Sequence, residues 1–234
     1  MPNSHEHVSA NQAQYYGDLF DRHGPSVDAV ASGKQAYKDL RYERLCNLIP
    51  EGTRSLHDVG FGLGHLNEYL RARPNMSDIA YSGSEVTPQF VDHCTERYPE
   101  GCFFLRDLTE VVPDEKYDCV VLSGTFYHRR NTSEEDFLTF AETLLTNSFA
   151  MCRRGMVFNL ISPFVDYRIG DLFYADLPRI LKLVQRLSRF FVLDHATPLY
   201  EYTLAIYREE HVSSMHPNDV FDKYFDARRT NDTS

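Results

Sequence analysis

What the chain has little of narrows its function first. It has no surplus of positive charge: 24 Lys and Arg stand against 34 Asp and Glu, for a net charge of -10 over 234 residues. Such a chain exerts no general attraction on a phosphate backbone or an anionic lipid surface, so neither nucleic acid nor a membrane is expected as its partner. No apolar run approaches the roughly 18 residues needed to span a bilayer. The first residues, MPNSHEHVSANQ, are polar, so export is not expected either. Five cysteines (Cys46, Cys94, Cys102, Cys119, Cys152) never fall into a C-x-x-C pair. Odd in number and scattered, they read as reduced residues of a cytoplasmic protein. No grouping of His, Cys, Asp and Glu has metal-ligand spacing, and no metal is expected. Repeats and low-complexity stretches are missing too.

What is present is regular alternation. With 42% hydrophobic residues the chain can build one sizeable core, so 1–234 is expected to be a single domain. Tyr15, Tyr16, Leu19 and Phe20 form a helical stripe, and Lys34 to Ile49 carries a second one. These first 50 residues are expected to form a helical cap or lid. After Pro50 come short apolar runs of strand type: Ser55 to Val59, Ile79 to Ser84, Cys102 to Arg106, Cys119 to Ser123 and Met156 to Ile161. Helical segments with end signals separate them. Thr87-Pro88 marks an N-terminus, Thr132 to Glu135 a capping box, and Gly155 the stop of a helix ending in Arg153-Arg154. Strand and helix in alternation imply a parallel sheet covered on both faces. A helix from Asp176 to Ser188 then leads to two strands, Phe190 to Leu193 and Tyr200 to Tyr207, which a short turn makes antiparallel. Residues 209–234 read as a polar tail, with His5, His7, His211 and His216 facing solvent.

The chemistry begins at Asp58-Val59-Gly60-Phe61-Gly62-Leu63-Gly64. A strand that ends in glycine at alternate positions and opens into a helix lets the backbone approach a ligand closely. Glu85 ends the next strand, where a carboxylate can accept hydrogen bonds from ribose hydroxyls, and Asp107 follows the third beside the amide of Leu108. Acids at three successive strand ends line one edge of a parallel sheet, where ligands bind.

These residues carry a resemblance. Ser55 to Gly64, Tyr81 to Pro88, Leu105 to Leu108 and Tyr117 to Gly124 are similar, in order, to class I S-adenosylmethionine-dependent methyltransferases. The resemblance implies an α/β Rossmann-like fold with seven strands, mostly parallel, a C-terminal antiparallel hairpin and helices on both faces. It implies S-adenosyl-L-methionine as cofactor, with Asp58, Gly60, Gly62 and Gly64 beside its methionine part, Glu85 on the ribose, Asp107 and Leu108 on the adenine, and Ser123 in the loop facing the methyl. Phe61, where a small residue is common, and His57, polar within the first strand, depart from the pattern.

The implied reaction is methyl transfer to a small, polar acceptor. The same cofactor can instead give up or cyclise its aminocarboxypropyl group, and the fold can also serve as a non-catalytic cofactor-binding scaffold. A nicotinamide dehydrogenase fits less well, because it favours Gly-x-Gly-x-x-Gly. Positioning supplies much of the rate in such a transfer, and a base is needed only for a protonated acceptor. His128 is the expected base, and Tyr127 is expected to orient the acceptor through its hydroxyl. Tyr16, Asn159, Tyr167 and Arg168 are expected to contact the acceptor, Arg168 as a clamp for an anion. Asp166, Tyr174 and His195 are further polar groups near the same edge.

Overall fold

The computed structural model describes residues 4–30 and 34–225, so residues 226–234 of the expected tail and the side chain of His5 lie outside the described residues. One sheet organises the chain. Its strands are β1 (Ser55–Val59), β2 (Ala80–Glu85), β3 (Cys102–Leu105), β4 (Tyr117–Leu122), β5 (Cys152–Ile161), β6 (Phe191–Asp194) and β7 (Glu201–Tyr207). They lie in the order β3-β2-β1-β4-β5-β7-β6. The first five run parallel, while β7 inserts between β5 and β6 antiparallel to both. Strand order reverses between β1 and β4, and that reversal opens a crevice at the carboxyl edge.

Helices α1 (Ser4–His23), α2 (Gln35–Cys46), α3 (His65–Arg71), α4 (Pro88–Arg97), α5 (Glu134–Ala150) and α6 (Leu177–Leu187) cover the sheet, followed by α7 (Glu209–Met215) and α8 (Asp222–Phe225). The burial of β4 shows why both faces need covering. Val120 and Leu122 pack with Phe137 and Leu145 of α5 and Ile180 of α6, whereas Cys119 and Val121 pack with Leu45 of α2 and Leu66 of α3. Side chains two apart share a face, so a continuous apolar run is stable only between two layers. Truncating a fully buried residue such as Phe137 to alanine should cost about 3–5 kcal/mol. The start of α5 is fixed locally: Ser133 Oγ accepts from the amide of Asp136 at 3.1 Å and donates to its carboxylate at 2.7 Å. Pro88 opens α4 without a side-chain cap from Thr87, and Asp176 caps α6.

Two expectations are corrected. Gly155 does not stop a helix: α5 ends at Ala150, and Arg153 to Gly155 already belong to β5. Gly155 pairs with Cys119 on one side and Tyr207 on the other, and a Cβ there would stand 2.8 Å from the carbonyl oxygen of Ile206. Glycine is needed for strand approach, which a sequence cannot distinguish from a helix stop. The stretch from 209 is also not all tail, since α7 buries His211 against the ring of Tyr207, while His7 and His216 are exposed as expected.

Candidate active site

The turn after β1 takes three left-handed steps, with φ of 76° at Gly60, 54° at Gly62 and 74° at Gly64. No side-chain-bearing residue would hold such a run without strain. The amide of Gly60 donates to the carbonyl of Ser84 at 2.8 Å, fastening the loop to the end of β2. Gly60 and Gly62 form part of the wall of a cavity of about 550 Å³ that opens at the carboxyl edge. Gly64 is off that wall and serves packing instead, because a Cβ there would lie 2.6 Å from the Tyr98 ring.

Glu85, Asp107 and Leu108 border the same cavity. Glu85 is almost fully buried, and its carboxylate accepts from the amides of Gly62 (3.1 Å), Val86 (2.8 Å) and Thr87 (3.2 Å). Burial raises its pKa, and those three amides pull it back. It therefore braces the glycine loop as well as facing the cavity. One oxygen of Asp107 accepts from the amide and hydroxyl of Thr109, a turn that directs the chain past Leu108. Asp58 departs from expectation. It is absent from the cavity wall and buried behind the loop, where one oxygen accepts from the Tyr81 hydroxyl at 2.6 Å and the other has no partner. Burial raises its pKa to about 7. The buried polar His57 is satisfied by Ser82 and Ser84, and burial drops its pKa to about 3.

The loop leaving β4 supplies the opposite wall. Ser123, Tyr127 and His128 all line the cavity. His128 pairs with Leu172 in a short antiparallel bridge, which brings the Asp171 carboxylate to 3.1 Å from His128 Nδ1. Burial and the neighbouring Arg130 lower the histidine pKa, and Asp171 opposes them. The Tyr127 hydroxyl is not directed at an acceptor: Asn159 Nδ2 donates to it and also to Glu201 at 2.9 Å. Asn159 itself is buried beneath the loop, with its oxygen accepting from the Gly124 amide at 2.9 Å, so it supports the wall without forming it. Tyr16 and Tyr167 do line the cavity, and burial pushes the Tyr16 hydroxyl up to about 12. Arg168 does not; it is exposed and stacks over the Tyr174 ring, which removes it as an anion clamp. His195 is likewise away from the cavity, and Asp166 is taken by the Tyr200 hydroxyl.

No family model matches the chain. Among solved structures, magnesium protoporphyrin IX methyltransferase ChlM of Synechocystis PCC 6803, solved with SAH bound, superposes with a TM-score of 0.59 at 14% identity, covering 86% of this chain and 99% of that one. The sugar N-methyltransferase KedS8 of Streptoalloteichus superposes with a TM-score of 0.57 at 15% identity, covering 82% and 92%. At that identity they establish the fold. A candidate methyltransferase of Mycobacterium tuberculosis, Rv1506c, is 32% identical over 155 residues, spanning 65% of this chain and 92% of that protein. The chain belongs to the class I S-adenosylmethionine-dependent methyltransferases.

Several residues at this cavity carry no mark in the sequence. From α2, Arg41 reaches the cavity and grips Glu201 of β7 through two bonds of 2.6 and 2.9 Å. From α1, Gln12 borders the cavity and donates to the carbonyl of His128 at 2.5 Å. Asp171 sits in the loop between β5 and α6. None has a local signature: Arg41 and Glu201 are 160 residues apart, and each reads alone as a solvated charge.

Proposed function

We propose that the cavity binds S-adenosylmethionine and that the enzyme transfers its methyl group to a small-molecule acceptor, with His128 as the general base. The observation that carries the reading is convergence. The glycine loop, Glu85, Asp107 and His128 follow four separate strand ends and line one cavity of about 550 Å³, a size usual for small-ligand sites, with Asp171 3.1 Å from His128 Nδ1. The residues fit the cofactor. Gly60 and Gly62 put bare, left-handed backbone on the cavity wall, Glu85 offers a carboxylate for ribose hydroxyls, and the Asp107–Leu108 turn suits an adenine edge. Bound there, S-adenosylmethionine would supply an electrophilic methyl on a sulfonium.

The chain's own residues do the rest. Asp171 fixes the ring of His128 so that Nδ1 donates to the carboxylate and Nε2 is left to receive a proton. Ser9, Gln12 and Tyr16 of α1 roof the cavity and exclude water. The stack of Arg130 on the Tyr15 ring, 3.2 Å from its centroid, fastens that roof to the loop after β4. The test is calorimetric titration with S-adenosylmethionine, followed by incubation with the methyl-labelled compound and pooled metabolites. Labelled product together with S-adenosylhomocysteine supports methyl transfer. Methylthioadenosine would point to aminocarboxypropyl chemistry, and binding without turnover to a scaffold.

A further inference from the structure

The segments that follow β5 and precede β7 contribute Val165, Ile169, Leu172, Tyr174, Leu199 and Tyr200 to the cavity wall. The charged groups of this part of the wall are already paired. Arg41 and Glu201 neutralise each other in a two-bond pair, and Asp171 is held by His128 at 3.1 Å and Arg130 at 2.8 Å. Tyr200 spends its hydroxyl on Asp166, Tyr174 accepts from the amide of Ile169 at 2.7 Å, and the Tyr127 hydroxyl is held by Asn159. An ammonium group entering here meets no unpaired carboxylate among the described residues of this wall, and a carboxylate meets no unpaired cation. Either would lose its hydration without compensation. The apolar surface also continues outward, because Tyr167 is 68% exposed and Ile169 52% exposed at the mouth.

We propose that the acceptor is a neutral, flat, largely apolar molecule bearing a hydroxyl on a conjugated ring, a phenol or enol, and that the methyl goes to that oxygen. This proposal differs from the polar acceptor expected from sequence, and it rests on the function proposed above. A carboxylate has its lone pair ready and needs no base; an alkylamine arrives as an ammonium, whose charge finds no partner in this wall, whereas the paired His128–Asp171 geometry suits a neutral acceptor that must lose a proton. A ring hydroxyl, with a pKa of about 10, is within reach of an imidazole. An aliphatic hydroxyl, nearer the 15.7 of bulk water, is not. The acceptor's O–H bond breaks with its proton passing to His128 Nε2, its oxygen lone pair forms the new O–CH₃ bond, and the electron pair of the broken S–CH₃ bond stays on sulfur as a neutral thioether.

The experiment uses the full chain saturated with S-adenosylmethionine, its cofactor binding checked first by calorimetry. A set of hydroxyarenes of one to four fused rings, a naphthoate and an amino sugar are compared for S-adenosylhomocysteine release. Binding of 2-methoxynaphthalene is read separately from its emission, which is unobscured because the chain contains no tryptophan. Methylation of at least one hydroxyarene is expected, together with binding of the methoxy probe that Tyr167→Ala weakens roughly tenfold. Tyr167 is exposed enough that its loss leaves the fold intact. Turnover of the naphthoate or amino sugar with every hydroxyarene inert overturns the proposal and leaves methyl transfer standing. So does inertness of the whole set with no probe binding. Failure of S-adenosylmethionine to bind is the separate failure of the proposed function.

Discussion

Asp58 should make the stability of the fold depend on pH in an unusual direction. Its carboxyl is 2% exposed, accepts one hydrogen bond from Tyr81 and leaves one oxygen unpaired, and burial lifts its pKa from the ordinary 3.8 to about 7. The folded protein therefore holds this proton where the unfolded chain has released it. A raised carboxyl pKa gives a contribution that is fully present below about 4 and is lost as pH rises through about 7. At 1.36 kcal/mol per unit the full loss is ~4 kcal/mol, of which roughly 2.5 kcal/mol falls between pH 5 and pH 8. Asp58→Asn keeps the shape and cannot ionise. Its melting temperature relative to the parent should climb between pH 5 and pH 8 by about 5–10 °C, at 2–4 °C per kcal/mol for a domain of this size. His57, whose lowered pKa costs stability as pH falls below 6.5, bends both curves alike and cancels. Scanning calorimetry without cofactor is the assay. Two melting curves that stay parallel over that range would mean that water or a rotated Tyr81 satisfies Asp58, and the orphaned oxygen would be no feature of the protein in solution.

Other outcomes follow from the site. Glu85→Ala should weaken S-adenosylmethionine binding by about 1.5–3 kcal/mol for each charged hydrogen bond lost, and should also lower stability by freeing the amides of Gly62, Val86 and Thr87; unchanged calorimetric affinity in a folded variant would displace the ribose site. His128→Ala should lower kcat by roughly 100-fold or more, and turnover equal to the parent from pH 6 to 9 would remove it as base. Asp171→Asn should cut kcat with little change in KM and move the acidic limb of the rate profile to lower pH, because the carboxylate that raises the His128 pKa is gone; an unmoved limb would deny the pairing. Arg41→Met should cost about 3–5 kcal/mol in chemical denaturation by stranding Glu201, and the double variant Arg41→Met with Glu201→Gln should recover most of it.

The sequence by itself determined the layered fold and the glycine loop, Glu85, Asp107 and Leu108 that border the cavity. Strand runs and capping signals act over a few residues, and the order Asp58, Glu85, Asp107 follows from ending successive parallel strands at one edge. The glycine loop was legible for the same reason, since positive φ at alternating positions leaves a direct residue signature. Tertiary structure decided the rest. It turned Asp58 behind the loop, gave Gly155 to a strand, exposed Arg168, and placed Arg41 and Gln12 from helices that precede β1 onto the cavity wall. It also set Asp171 beside His128 across 43 positions of chain. Such pairings carry no periodicity, because each partner is chosen by how the helices and loops pack over the finished sheet.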